Sequence, residues 1–166
     1  MKTASDDYEV EPIEAAKLSE KDLNSCIAII KQGKAVDWRS ASGELPVATT
    51  VVVARKGPEI VGVGAIKRKR LQYAARVASY ARYAFPPDTL ELGYVAVDTA
   101  HRRKGLSHRI TEALLSKYEG RLFATTYDKR MKRTLGNVGF VKKGKQWKGR
   151  EYMVSYWERG ADAPKK

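Results

Sequence analysis

The sequence predicts a single α/β domain: a mixed sheet of about seven strands with flanking helices. Three observations carry that expectation. Residues 95–115 pass from a continuous apolar run (Val95, Ala96, Val97) through a basic loop into a segment of helical periodicity. Residues 49–54 and 59–66 are two β-branched runs joined by Arg55-Lys56-Gly57-Pro58, the pattern of a hairpin. Residues 141–147 and 151–157 pair as two last strands around Lys148-Gly149. With 166 residues the chain is long enough to bury a substantial core. The domain is expected over 1–158 and a flexible tail over 159–166, where no large apolar residue provides an anchor.

In chain order, residues 8–13 suggest a first strand. Ser19 then suits a helix N-cap with Asp22 three residues on, Leu23, Ile27 and Ile30 recur at helical spacing, and Gly33 is a natural stop. Cys26 lies near that apolar stripe and reads as a small buried thiol. Residues 38–46 read as a loop, because Ser40, Ser42, Gly43 and Pro46 fall close together. Gly62 and Gly64 alternate within the third strand, which signals a bulge or the close approach of another segment. An Ala-rich helix is expected within 71–84, with Pro86-Pro87 to end it. Residues 90–98 form a fourth strand. The helix after the basic loop turns Leu106, Ile110, Ala113 and Leu114 to one face. A fifth strand follows at 122–127, and then a short basic helix capped by Asp128.

Composition narrows the function classes. No apolar run approaches the ~20 residues that cross a bilayer, and the N-terminus is acidic and polar, so a cytoplasmic protein with no membrane role is expected. One cysteine and two histidines suggest neither an internal disulfide nor a metal site. The net charge is +13 and unevenly placed. Seven of the 19 acids precede residue 23, whereas 67–82 carries six bases and no acid and 128–150 carries nine bases and one acid. Such a surface attracts nucleic acid, acidic proteins or cofactor phosphates. In 67–89, Arg68, Arg70, Arg76 and Arg82 alternate with Tyr73, Tyr80 and Tyr83, which suits either a polyanion surface or a lid that packs its tyrosines and leaves arginines in water.

The loop at Arg102, Arg103, Lys104, Gly105, Leu106 and Ser107 is the most informative stretch. It places cations and unpaired backbone amides at a helix N-terminus, where the macrodipole favours an anion, most simply a phosphate. Neither a Walker loop nor Gly-x-Gly-x-x-Gly is present. Arg102-x-x-Gly105-x-Ser107 after a Val-Ala-Val-Asp strand resembles the signature of the Gcn5-related N-acetyltransferases, GNAT, with Ser107 in place of the usual Gly or Ala. The Gly139-Phe140 pair is a second point of resemblance, and the order of elements extends it over most of the chain. It implies a GNAT-like acyltransferase fold with an insertion at about 67–89. It also implies acetyl-coenzyme A as cofactor, its pyrophosphate on 102–107 and its pantetheine arm aligned by Val95, Ala96 and Val97. Asp128 and Leu135 stand where that family usually has Asn and Tyr.

Acetyl transfer to an amine needs a neutral nitrogen, so a base must take a proton from a primary amine whose pKa is near ~10.4. Glu91 is the candidate: on an unbulged strand it shares a face with Gly93, Val95 and Val97. Because Leu135 replaces the usual Tyr, the partner of the departing thiolate must come from elsewhere, with Tyr94, Tyr127 and Tyr152 as substitutes. His101 and His108 have no recognisable acidic partner and read as solvated or cofactor-contacting. The expected function is therefore N-acetylation of a small-molecule or protein amine by direct transfer, in a monomer or homodimer. The alternative is a basic protein that binds or modifies nucleic acid on the same framework.

Overall fold

The computed structural model describes residues 7–33 and 38–160. Seven strands follow the order β1-β2-β3-β4-β5-β7-β6. They are β1 Glu9–Ile13, β2 Thr50–Lys56, β3 Glu59–Lys67, β4 Leu90–Val97, β5 Leu122–Thr126, β6 Val141–Lys148 and β7 Met153–Arg159. The helices are α1 Glu20–Gln32, α2 Trp38–Glu44, α3 Leu71–Ala81, α4 Leu106–Ser116 and α5 Lys129–Asn137. The chain groups into two compact units, Met1–Lys67 with Gly93–Tyr118 and Arg68–Leu92 with Glu119–Lys166, so β4 runs from the second into the first.

In the first unit, β2 pairs antiparallel with β1 on one side and β3 on the other, and the β2–β3 register shifts between Ala54 and Arg55. Ser19 Oγ accepts the Asp22 amide at 3.1 Å and starts α1, which buries Cys26, Ile29 and Ile30 against Val51, Val53, Val63 and Ala65. The expected loop at 38–46 is instead largely α2. Ala41 and the following Leu45 are fully buried, and Lys31 and Arg39 sit over the Trp38 ring. Burial against α1 outweighs the weak helix propensity of Ser and Gly. Gly62 and Gly64 mark close approach of α4. A Cβ on Gly64 would lie 2.6 Å from Ile110 Cγ2 and 3.1 Å from Leu114 Cδ1, so α4 fits there only against bare backbone.

The second unit pairs β7 antiparallel with both β5 and β6, and sets the start of β4 parallel to β5 through Leu90↔Leu122 and Glu91↔Phe123. Its core is aromatic: Phe85, Phe123 and Tyr156 stack with centroids 4.9–5.7 Å apart, and Val77 and Ala81 of α3 close over them. Helix α3 stops at Arg82, which adopts φ 51, before the two prolines are reached. The Asp128 carboxylate caps α5 by accepting the Arg130 and Met131 amides. The expected flexible tail lies mostly in 161–166, outside the described residues.

Candidate cofactor-binding and catalytic site

The loop between β4 and α4 is held in place by its flanks, while the start of α4 receives no side-chain cap. Asp98 donates its amide to Val61 O at 2.8 Å, and its carboxylate accepts the Ala100 amide at 2.9 Å. Gln32 Oε1 accepts the Thr99 amide at 3.0 Å. Arg102 Nε donates back to Val97 O at 3.3 Å, while Leu106 is buried beneath the helix start. Arg103 and Gly105 both take left-handed backbone conformations, φ 65 and φ 73, so the turn reverses within four exposed residues.

Gly105 is the N-cap of α4 and has no side chain to satisfy the first amides. The Arg109 amide donates to Gly105 O, so the amides of Leu106, Ser107 and His108 precede the first bond of the helix ladder. A Cβ on Gly105 would meet nothing within 4 Å, so the N-cap position itself is open. Three cations, three amides, a positive helix end and open space match the donor set that a diphosphate requires. Arg109 is turned elsewhere and donates to Tyr8 O at 3.1 Å.

Strand β4 carries the remaining expected residues, with one departure. Tyr94 has φ 56, which interrupts the alternation. The shared face expected for Glu91, Gly93, Val95 and Val97 therefore ends at Tyr94. Val95 lies on the α4 side, where its Cγ2 would be 3.3 Å from a Cβ on Gly64. Tyr94 packs instead with the α1 and α2 core, 4% exposed, its hydroxyl 2.6 Å from Ser40 Oγ and its ring under Lys67. A non-glycine residue in this conformation costs about 1–2 kcal/mol, and such strain gathers at working sites. Ala96 is half-buried and Val97 buried.

Glu91 is 8% exposed and sits at the last β4–β5 register pair. Its charge acts on Tyr73 of α3, whose hydroxyl is 2.6 Å from Thr125 Oγ1. Burial first, and the Glu91 carboxylate second, push the Tyr73 phenol up to about 12, so it stays protonated. In the sequence Tyr73 belongs only to the basic-aromatic insertion; a lone Tyr in an Ala-rich helix carries no signal of which carboxylate it will meet.

The other candidates separate. Leu135 is fully buried, and Tyr127 and Tyr152 stack on each other at 4.7 Å. His101 Nδ1 is 3.0 Å from the Tyr8 hydroxyl, and His108 pairs with Glu112 one turn on. This acidic partner, not expected above, follows from the i,i+4 spacing of His108 and Glu112. Burial pushes the Cys26 thiol up to about 12, which leaves it a packing residue. Among the described residues no cluster of metal-ligating side chains occurs, and no helix is long and apolar enough to cross a membrane.

Comparison with known proteins gives a consistent result. The family model described as "Acetyltransferase (GNAT) family" matches residues 23–136. The fold is similar to that of ElaA from Escherichia coli, with a TM-score of 0.68, 13% identity, and coverage of 91% of this chain and 99% of that one. An acyl-CoA N-acyltransferase from Pseudomonas aeruginosa aligns with a TM-score of 0.65 and 13% identity over 92% of this chain and 99% of its own. A third similar structure is yncA, a putative acetyltransferase from Salmonella typhimurium with its cofactor acetyl-CoA: TM-score 0.61, 15% identity, 93% of this chain and 94% of that one. Among curated proteins none matches.

Proposed function

The chain belongs to the GNAT acetyltransferase family, and from that premise we propose that it moves an acetyl group from acetyl-coenzyme A directly to a primary amine. The observation that carries this reading is the open N-terminus of α4 behind Gly105, set at the end of the strand that also bears Glu91. When bound, the cofactor supplies an acetyl thioester and a sulfur that leaves readily as thiolate.

Arg102, Arg103 and Lys104, with the amides of Leu106, Ser107 and His108, hold the diphosphate through charge and directed N–H groups. The backbone of Val95, Ala96 and Val97 aligns the extended arm, and an N–H from the same stretch stabilises the carbonyl oxygen as charge develops on it. Glu91 takes a proton from the acceptor's ammonium, directly or through water, and the neutral amine so formed attacks the thioester carbonyl. Tyr94, joined to Ser40, offers a hydroxyl to the departing sulfur. A thiol pKa near ~8.5 lets the thiolate leave with a hydrogen bond rather than full protonation. A covalent route through Cys26 is disfavoured, because that thiol is fully buried and protonated.

Incubation with acetyl-coenzyme A and a panel of small amines and protein lysates, followed by free-thiol release and mass spectrometry of the products, tests this reading. An amine-dependent thiol signal with an acetylated product supports it. Thiol release independent of any amine, or none with every acceptor class, contradicts it.

A further inference from the structure

We infer that the second unit carries a binding surface for single-stranded nucleic acid, built from strand β6 and the C-terminal half of α3. Its basis is the partition of charge between the units. The segments of the second unit contain 18 Lys and Arg against 7 Asp and Glu, a surplus of 11, whereas those of the first contain 14 against 12, a surplus of 2. The diphosphate loop lies in the first unit, so the cofactor does not account for the excess.

Much of that charge is concentrated on one element. β6 is the outermost strand of the sheet, beyond β7. Val141 through Gln146 are all exposed, and the strand carries Lys142, Lys143, Lys145 and Lys148 with no carboxylate. Register fixes the faces. Lys143 is opposite Tyr156 and Trp147 is opposite Val154, so Lys143 and Trp147 share the face on which α3 packs. There Tyr80 stacks on Trp147 with centroids 6.1 Å apart and planes 20° from parallel, and Tyr80 remains 56% exposed. Arg76, one turn before Tyr80, and Arg82, two residues after it, are exposed as well.

An edge strand gains protection from a lysine or two, since charge there deters pairing with another chain. Lys143 shares the face of the aromatic platform, while Lys142 and Lys148, opposite Trp157 and Met153, line the other face of the same edge, so the strand flanks the platform with more cations than that requirement calls for. They match what a flexible polyanion with π-faced bases needs: cations spaced along a backbone and a ring on which an unpaired base stacks. An acidic peptide would use the charge and leave the Tyr80–Trp147 platform unemployed, and duplex bases are already stacked on one another.

The test uses the full chain and fluorescein-labelled oligonucleotides of equal length: single-stranded RNA, single-stranded DNA, a duplex, and an acidic peptide of matched charge. Single strands bind at low salt, with log affinity falling by ~0.7 per phosphate neutralised for each unit of log salt. Tyr80→Ala weakens binding about tenfold or more. Lys142→Gln/Lys143→Gln/Lys145→Gln lowers the salt slope by ~2. Both variants retain the parent's melting shift with coenzyme A. RNA over DNA would identify a ribose contact, and the reverse a deoxyribose preference; either supports the surface. No binding at low salt, equal binding of duplex or peptide, or variants that bind like the parent would overturn it.

Discussion

The two units solve different problems with the same β4 strand passing through both. The first is nearly neutral in net charge and concentrates its function in backbone geometry. The anion site proposed for it rests on left-handed residues at Arg103 and Gly105 and on amides that no side chain caps. The second is strongly basic, keeps an aromatic core, and displays its charge on side chains of an edge strand. Directed donors suit one small anion of fixed shape, whereas diffuse cations suit a long, flexible one.

The comparison breaks most severely at Glu91. Glu91→Gln is expected to lower kcat by about 10²-fold or more, with coenzyme A affinity unchanged, because general-base assistance contributes on that order. Steady-state rates at saturating acetyl-coenzyme A, set beside calorimetric titration with coenzyme A, check it.

Gly105→Glu should weaken coenzyme A binding about 100-fold, through a carboxylate placed before the diphosphate donors and loss of the left-handed turn. Since a Cβ there meets no neighbour, the ligand-free protein should lose only ~1–2 kcal/mol. Calorimetric titration and thermal melting separate the two effects. Oligonucleotide binding by the second unit should be untouched, which makes this variant the sharpest divider of the two regions.

Gly64→Ala tests packing in the first unit alone. The added methyl meets Ile110 and Leu114, branched side chains seated in the core, so α4 must move and stability should fall by ~1–3 kcal/mol in urea denaturation.

The smallest effect is alkaline. Cys26, raised from 9.0 to about 12, and Tyr73, raised from 10.0 to about 12, both keep their protons in the folded state after the unfolded chain has lost them. Each therefore contributes stability that is full below its unfolded value and is lost as pH rises toward 12. Between pH 9 and 10 the Cys26 contribution dominates, at ~1 kcal/mol over that unit. Cys26→Ala should flatten that part of the stability curve, and Tyr73→Phe should change the slope only above pH 10. A Tyr73 effect below pH 9 would refute the assignment.

Much of this architecture was legible in the sequence, for local reasons. The β2–β3 hairpin, the Ser19 and Asp128 caps and the Arg102–Ser107 loop are short patterns whose chemistry acts within a few residues. Helix α2 was not legible, because its stability comes from burying Ala41 and Leu45 and from cations over Trp38, partners that only the tertiary fold supplies. The left-handed turn at Tyr94 was hidden as well. Its neighbours Gly93 and Val95 look like ordinary strand, and nothing in an apolar run announces one strained residue. The candidate site divides the same way: the anion donors follow from spacing, whereas the Tyr73–Thr125 bond depends on how α3 lies against β5.

The central claim is that the α4 N-terminus holds the diphosphate of coenzyme A. Backbone amide resonances of Leu106, Ser107 and His108, followed by NMR during titration with coenzyme A, test it most directly. All three should shift together and saturate with the same affinity, and pantetheine lacking the diphosphate should leave them nearly unmoved. Saturating coenzyme A that shifts other amides while these three stay in place would contradict the claim.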